Sequence, residues 1–300
     1  MKLNRVTNPI FFEFIKLKLI DKINIILISN KTRDKNIKVF QDKISKIIFL
    51  EKVLSNSSNH YNTKFSDVDR VKKKNQVVEL SKKKITIDIL DDELKRYYKF
   101  RKIIKNKSIL DFGCGWGSFL LKAKEAKSRH GIELRKECKN YIKSLDKSIF
   151  IDSSLENLKK KFDVIVSFHT LEHLTDQVGT VKKLRNKLNN NGKLILEVPH
   201  AEDILLNLKS FRDFSFFSEH LVLHTKDSLK KVLQKAGFNK IKIQYIQRYN
   251  FENHLGWFLK NKPGGHKMFK NFCTPELLKM YNKFLIKKRM SDTLIAIVTK

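Results

Sequence analysis

The sequence predicts an α/β protein built on a mostly parallel seven-stranded sheet with helices on both faces. A small β-containing module precedes this sheet, and an inserted lid lies near its C-terminal end. Three observations point there. From residue 107 onward, short apolar runs ending in an acid or a glycine alternate with amphipathic stretches, the order expected of a parallel sheet between helices. A glycine-rich turn, Gly113-Cys114-Gly115-Trp116-Gly117, follows the first of those runs, and the earlier residues lack the alternation altogether.

Taken in order, 23–29 and 37–50 are strand-like apolar runs, and 56–67, rich in Asn, Ser and Asp, has loop composition. Residues 82–105 are helical in character, most clearly over 91–104. We therefore expect a module over 1–85 and the main domain over 86–300. Within the latter, 107–111 is a strand, 118–127 a helix, 130–133 a second strand and 150–152 a third. Residues 163–168 and 193–198 are further strands, separated by a helix over 178–188. Thr225 is placed to cap a helix whose apolar face carries Leu229, Val232 and Leu233, and Gly237 to end it. Strands over 240–245 and 293–298 close the sheet. About 47 residues part them, too many for an ordinary hairpin connection, so 249–291 is expected to form an acceptor-site lid.

Composition limits the class of protein. The apolar runs are far too short to cross a bilayer, and the Lys-rich start lacks the apolar region of a signal peptide; a cytoplasmic protein without membrane insertion is expected. Cys114, Cys138 and Cys273 form no CxxC pair, and no compact Cys, His and acid set has a familiar zinc geometry, so no metal is expected. The net charge of +32 permits two readings. A positive surface attracts polyanions, nucleic acid among them. Alternatively, lysines spread along the whole chain beside abundant Ile, Asn and Phe reflect an A/T-rich coding sequence.

The glycine turn carries the strongest chemical signal. Glycine permits a tight turn and removes the side chain where backbone approaches a ligand. The dinucleotide fingerprint is GxGxxG, but here Gly113, Gly115 and Gly117 make GxGxG, with Ser118 next. Asp111, just before the turn, suits a cationic amino group better than a pyrophosphate. Glu133, at the end of the second strand, can accept hydrogen bonds from both hydroxyls of a ribose. Asp152 and Ser153 could border an adenine, although Asp152 could equally be a strand-end cap.

These residues together resemble the class I, Rossmann-like methyltransferases that use S-adenosylmethionine. Asp111 to Gly117 is similar to their first motif, Glu133 to their ribose-binding acid, and the run Phe162 to Leu174 to their fourth-strand motif, with His173 in it; the resemblance implies cofactor contacts at Phe168 and His169. Asn191-Gly192 and the residues to His200 resemble the turn and fifth strand. The resemblance spans about 90–248 and implies transfer of the sulfonium methyl to an O, N or C nucleophile attacking in line.

On the acceptor side, Phe216-Phe217-Ser218-Glu219-His220-Leu221 resembles bacterial nucleotide-sugar and polysaccharide methyltransferases. Their sugar C-methylating branch carries Tyr-x-Glu-His; Glu219 and His220 match, whereas Phe217 replaces the tyrosine. The Cys-rich zinc module common there is absent, since no cysteine precedes Cys114. His220 is the expected base, with Glu219 fixing its tautomer and His224 its rival. His173 is expected to stabilise a loop. His200, Arg248, Asn253, His254 and Trp257 are candidate substrate contacts: Arg248 for a phosphate, Asn253 for a hydroxyl, Trp257 for a sugar face. A packed lid is the other reading of these last residues. The resemblance thus implies a small, phosphorylated, sugar-containing acceptor in polysaccharide biosynthesis. A nucleic-acid methyltransferase and a non-catalytic cofactor-binding protein are the alternatives.

Overall fold

The computed structural model describes residues 6–54 and 87–300; the expected loop over 56–67 lies outside them. Among the described residues there are two sheets. The first is four-stranded, with β1 (Ile25–Ser29), β2 (Val39–Asp42), β3 (Ile48–Leu50) and β9 (Val222–Leu223) in that order. The second holds seven strands: β4 (Ser108–Phe112), β5 (Ser128–Ile132), β6 (Ile149–Asp152), β7 (Phe162–Phe168), β8 (Leu188–Pro199), β10 (Lys240–Ile246) and β11 (Thr293–Thr299). Its order is β10-β11-β8-β7-β4-β5-β6. β4 pairs parallel with both β5 and β7, and β5 with β6. Strand order reverses beside β4, and open α/β sheets bind ligands beyond the strand ends at such a reversal.

By backbone proximity the described chain divides into two units that are not consecutive in sequence. One combines the N-terminal segment to Leu54 with His169–Lys182 and Leu196–Val298; the other holds residues up to Phe168, Lys183–Ile195 and the last two residues.

In the first unit, the helix α1 (Pro9–Lys16) was not expected from the sequence, though its start was encoded. Pro9 occupies the first turn, where its missing N–H costs nothing, and Asn8 Oδ1 accepts from the Ile10 N–H at 3.0 Å. The same buried Asn8 donates through Nδ2 to the carbonyls of Leu50 and Leu221, each at 3.0 Å. Phe11 and Phe14 are buried, and Phe11 stacks on Phe49 at 5.1 Å. β9 pairs with β3, Phe49 opposite Val222, so the N-terminal sheet takes its fourth strand from far along the chain. After α6 (Lys209–Ser215), Thr225 caps α7 (Lys226–Lys235) through a capping box with Ser228, and Leu229, Val232 and Leu233 are buried. The 249–291 stretch is helical: α8 (Phe251–Lys260), α9 (Gly265–Met268) and α10 (Pro275–Lys288).

In the second unit, the core forms where Ile109, Leu110, Val164 and Ile165 of β4 and β7 bury their side chains with Phe119 and Leu120 of α3 (Ser118–Lys122). α3 is shorter than expected from the sequence. α2 (Ile87–Ile104) packs beside it; the unit also holds α4 (Lys136–Leu145), and α5 (Gln177–Asn186) begins in the first unit and ends in this one. Among the described residues no helix is long and apolar enough to cross a membrane.

Candidate functional site

The turn after β4 is built by backbone conformation. Gly113, Gly115 and Gly117 have φ of +80°, +53° and +73°, a region costly for residues with a Cβ. The N–H groups of Gly113 and Cys114 donate to the Ile132 carbonyl at 2.9 and 3.0 Å, and the Gly117 N–H returns to the Cys114 carbonyl at 2.8 Å. The turn is therefore tied to the end of β5. A Cβ at Gly117 would lie 2.6 Å from Ile142 Cγ1, whereas one at Gly115 would meet only Arg135 Nη2, at 3.5 Å. Gly117 is thus demanded by helix packing, and Gly115 faces space in which a ligand can approach.

Asp111 is buried beside this turn. Burial holds its carboxyl well above the usual range; Glu93 and Glu133 push it further up, while Arg96 opposes them. A buried acid whose charged form is disfavoured by burial and by Glu93 and Glu133 favours a cationic ligand, because such a ligand offsets both desolvation and repulsion. This arrangement fits the ammonium and sulfonium charges of S-adenosylmethionine. Glu133 is also buried, and Arg135 holds its carboxylate: the Arg135 backbone N–H and Nε approach Oε1 at 2.9 and 3.0 Å.

Other expected cofactor residues are engaged in packing or capping. Asp152 Oδ1 accepts from Ser153 N–H and from Asn157 Nδ2, both at 2.8 Å, and the Asn157 bond leads in lowering its pKa. These bonds give it the geometry of a strand-end cap. Ser153 Oγ accepts from Lys139 Nζ at 2.6 Å. Phe168 packs between Phe100 and Phe119, with the Arg96 guanidinium 5.1 Å from its ring centroid. A concavity of about 500 Å³ lies away from the turn, along edge strand β6, lined by His130, Lys143, Lys147 and Phe150 among others.

The acceptor-side candidates all fall in the other unit. His169, expected from the sequence to contact the cofactor, falls in that unit too; in a left-handed conformation with φ +50°, it lies between two carboxylates. Its Nδ1 is 3.2 Å from Glu172 Oε1 and its Nε2 is 3.0 Å from Glu197 Oε1. Burial and Arg248 pull its pKa down, but the two carboxylates outweigh them and the net shift is upward. Arg248 Nη1 comes within 2.6 Å of His169 Nε2, and its backbone N–H donates to Asp292. His169 and Arg248 therefore belong to one polar network.

Several expected contacts are interior groups, which corrects their assignment. His224 is fully buried, with Nδ1 3.0 Å from Ser228 Oγ; burial pushes its pKa down to about 4, so it is unsuited as the base. His200 is buried with Nδ1 2.8 Å from the Ser291 carbonyl. His254 is buried against the Tyr281 hydroxyl at 2.8 Å, and burial lowers its pKa to about 4. Trp257 packs against Phe211 and Phe214, both at 5.0 Å, which removes its indole face as a sugar platform. Asn253 Oδ1 lies 2.9 Å from His266 Nδ1 within the lid. The packed-lid reading accounts for these three lid positions.

His220 is half-buried, its ring 5.0 Å from that of His173 in an edge-on arrangement. Sequence reasoning missed its neighbour Glu172, whose side chain is fully buried. Ligand atoms of Glu172, His173 and His220 all lie within 4.8 Å of one another. The signal was the acid immediately before His173 in the fourth-strand motif, but nothing in the linear order joins that pair to a histidine 47 positions later.

The sheet order, the glycine turn and the acids beside it define a class I S-adenosylmethionine-dependent methyltransferase domain. The chain belongs to that family: a family model described as "Methyltransferase domain" matches residues 85–243. Curated relatives include a tRNA U34 carboxymethyltransferase of Campylobacter fetus, 21% identical over 186 residues that cover 56% of this chain and 65% of the relative. A second, of Aliarcobacter butzleri, is 26% identical over 172 residues, covering 51% and 56%. The chain thus spans less than two thirds of the length of these relatives. Among solved structures, an S-adenosylmethionine-dependent methyltransferase of Archaeoglobus fulgidus shares the fold with TM-score 0.50, 21% identity and coverage of 70% and 94%. One from Thermotoga maritima does so with TM-score 0.51, 15% identity and coverage of 81% and 100%.

Proposed function

We propose that this protein transfers the methyl group of S-adenosylmethionine to a nucleic-acid acceptor, RNA in the first instance. The observation that carries the donor half is the buried Asp111 beside a turn of three left-handed glycines, with Glu133 at the next strand end. The cofactor supplies an electrophilic methyl on a positive sulfur. Asp111 and Glu133 bind and orient it, and orientation alone can contribute roughly 7–11 kcal/mol at the extreme. Arg135 yields part of its hold on Glu133 when ribose hydroxyls arrive.

For the acceptor, two observations favour RNA. The curated relatives carry tRNA-modifying names, and a net charge of +32 favours a polyanion through release of its counterions. A phosphorylated sugar acceptor remains the second reading, favoured by the Glu219-His220 pair; it loses support because His200, His254 and Trp257 are interior packing groups. His220 keeps its place on the acceptor side, with Glu172 rather than Glu219 as the carboxylate grouped with it.

Transfer of a radiolabelled methyl from S-adenosylmethionine to total tRNA, other structured RNA and a sugar-nucleotide panel tests this reading. RNA labelling that weakens steeply with salt is expected. Labelling of a sugar nucleotide alone would replace the acceptor, and saturable cofactor binding without turnover on any of them would leave a cofactor-binding protein.

A further inference from the structure

We propose that Glu172, His173 and His220 form a binding site for one divalent first-row transition metal of the zinc type. All three residues belong to the same unit of the chain. Glu172 and His173 lie on a short 3-10 turn, Leu171–His173, within the fourth-strand motif and just past the end of β7. His220 precedes β9, and the Leu221 N–H donates to the Glu172 carbonyl at 2.9 Å, so backbone pairing sets the two segments side by side. The ligand atoms of the three residues fall within 4.8 Å of one another, close enough that small side-chain rotations bring them onto one ion at about 2.0–2.2 Å.

The hydrogen bonds of His173 and Glu172 leave one ligand atom on each directed to coordination. His173 Nδ1 lies 2.8 Å from the Glu219 carbonyl. A carbonyl only accepts, so Nδ1 carries the proton and the lone pair of the neutral ring sits on Nε2. That is the usual outer hydrogen bond of a metal-binding histidine. In the fully buried Glu172 carboxylate, Oε1 is engaged by His169 Nδ1 at 3.2 Å, whereas Oε2 has no hydrogen-bond partner. A buried carboxylate oxygen without a donor is costly. A cation beside His173 and His220 supplies the missing partner.

Two imidazoles and one carboxylate suit Zn²⁺ or Co²⁺ rather than Mg²⁺ or Ca²⁺, which prefer all-oxygen shells. Three protein ligands leave a coordination position open to an oxygen ligand, a hydroxyl or a phosphate. His220 then acts as a ligand and not as an unbound base. The use of that position in methyl transfer rests on the acceptor-side reading above; metal binding itself does not.

The full chain, stripped with chelator and dialysed, is titrated with Zn²⁺ by calorimetry and with Co²⁺ by visible absorption. One equivalent per chain is expected, with Co²⁺ bands of a four- or five-coordinate site. Glu172→Gln and the half-buried His220→Asn should each weaken Zn²⁺ by more than about 100-fold, beyond what an outer-shell change does. His266→Gln, a histidine outside the cluster, should leave affinity unchanged. Circular dichroism checks folding, and His220→Asn carries the test if Glu172→Gln does not fold. Absence of saturable binding, or binding indifferent to His220→Asn, overturns the site. Binding of S-adenosylhomocysteine to the metal-stripped chain is measured alongside: if it persists while metal fails to bind, the site is lost and the cofactor reading stands.

Discussion

Replacing Gly117 and Gly115 in turn separates a glycine demanded by packing from one that faces ligand. At Gly117, alanine meets two penalties. A residue with a Cβ held at φ +73° costs about 1–2 kcal/mol, and its methyl would stand 2.6 and 2.7 Å from the Cγ1 and Cδ1 of fully buried Ile142. Overpacking of that kind adds about 1–3 kcal/mol, for a total of about 2–5 kcal/mol. At Gly115 the conformational cost is similar, but the nearest neighbour is the side-chain end of Arg135 at 3.5 Å, an ordinary van der Waals distance, so Gly115→Ala should cost only about 1–2 kcal/mol. Urea unfolding of both variants at equal protein concentration reads the difference from their midpoints. Calorimetry with S-adenosylhomocysteine then follows the folded variants, including Gly115→Val, which should lose most of its affinity while remaining folded. Equal destabilisation at the two positions, or undiminished binding by Gly115→Val, would refute the division of labour within the turn.

Three further outcomes are expected. Glu133→Gln should weaken S-adenosylhomocysteine binding while sparing the maximum rate at cofactor saturation, because the amide keeps the size but loses a charged acceptor for ribose hydroxyls; equal Kd values in calorimetry would move that contact elsewhere. Asp203 is buried, and burial, followed by Asp292, pushes its pKa up to about 8. Its stabilising contribution is therefore complete below the unfolded value near 3.8 and is lost as pH rises through about 8. Asp203→Asn should remove a pH-dependent loss on the order of 5 kcal/mol at its limit, seen as a flatter stability curve in urea between pH 5 and 9; parallel curves would count against it. His224 has the opposite sign: burial lowers its pKa to about 4, so its contribution is present above about 6.5 and lost as pH falls through about 4. Proton NMR should find its imidazole still neutral at pH 5, and a midpoint near 6.5 would contradict its burial.

Local chemistry made much of this protein legible in advance. The parallel strands, the left-handed glycine turn and the Thr225 cap could be read because each depends on neighbours within a few residues: an apolar run, a backbone needing φ above zero, a hydroxyl three residues before an N–H. Long-range pairing decided the rest. That β9 completes the N-terminal sheet, and that Asn8 donates to carbonyls at 50 and 221, follows from contacts no local pattern encodes. The histidines show the same limit. His220, His224 and His254 are equivalent as letters, but burial pulls the pKa of His224 and His254 down to about 4, while backbone pairing brings His220 beside Glu172 and His173. Residue type determined what chemistry each side chain is capable of; desolvation and cross-chain proximity, which exist only after folding, decided which of them is in a position to perform it.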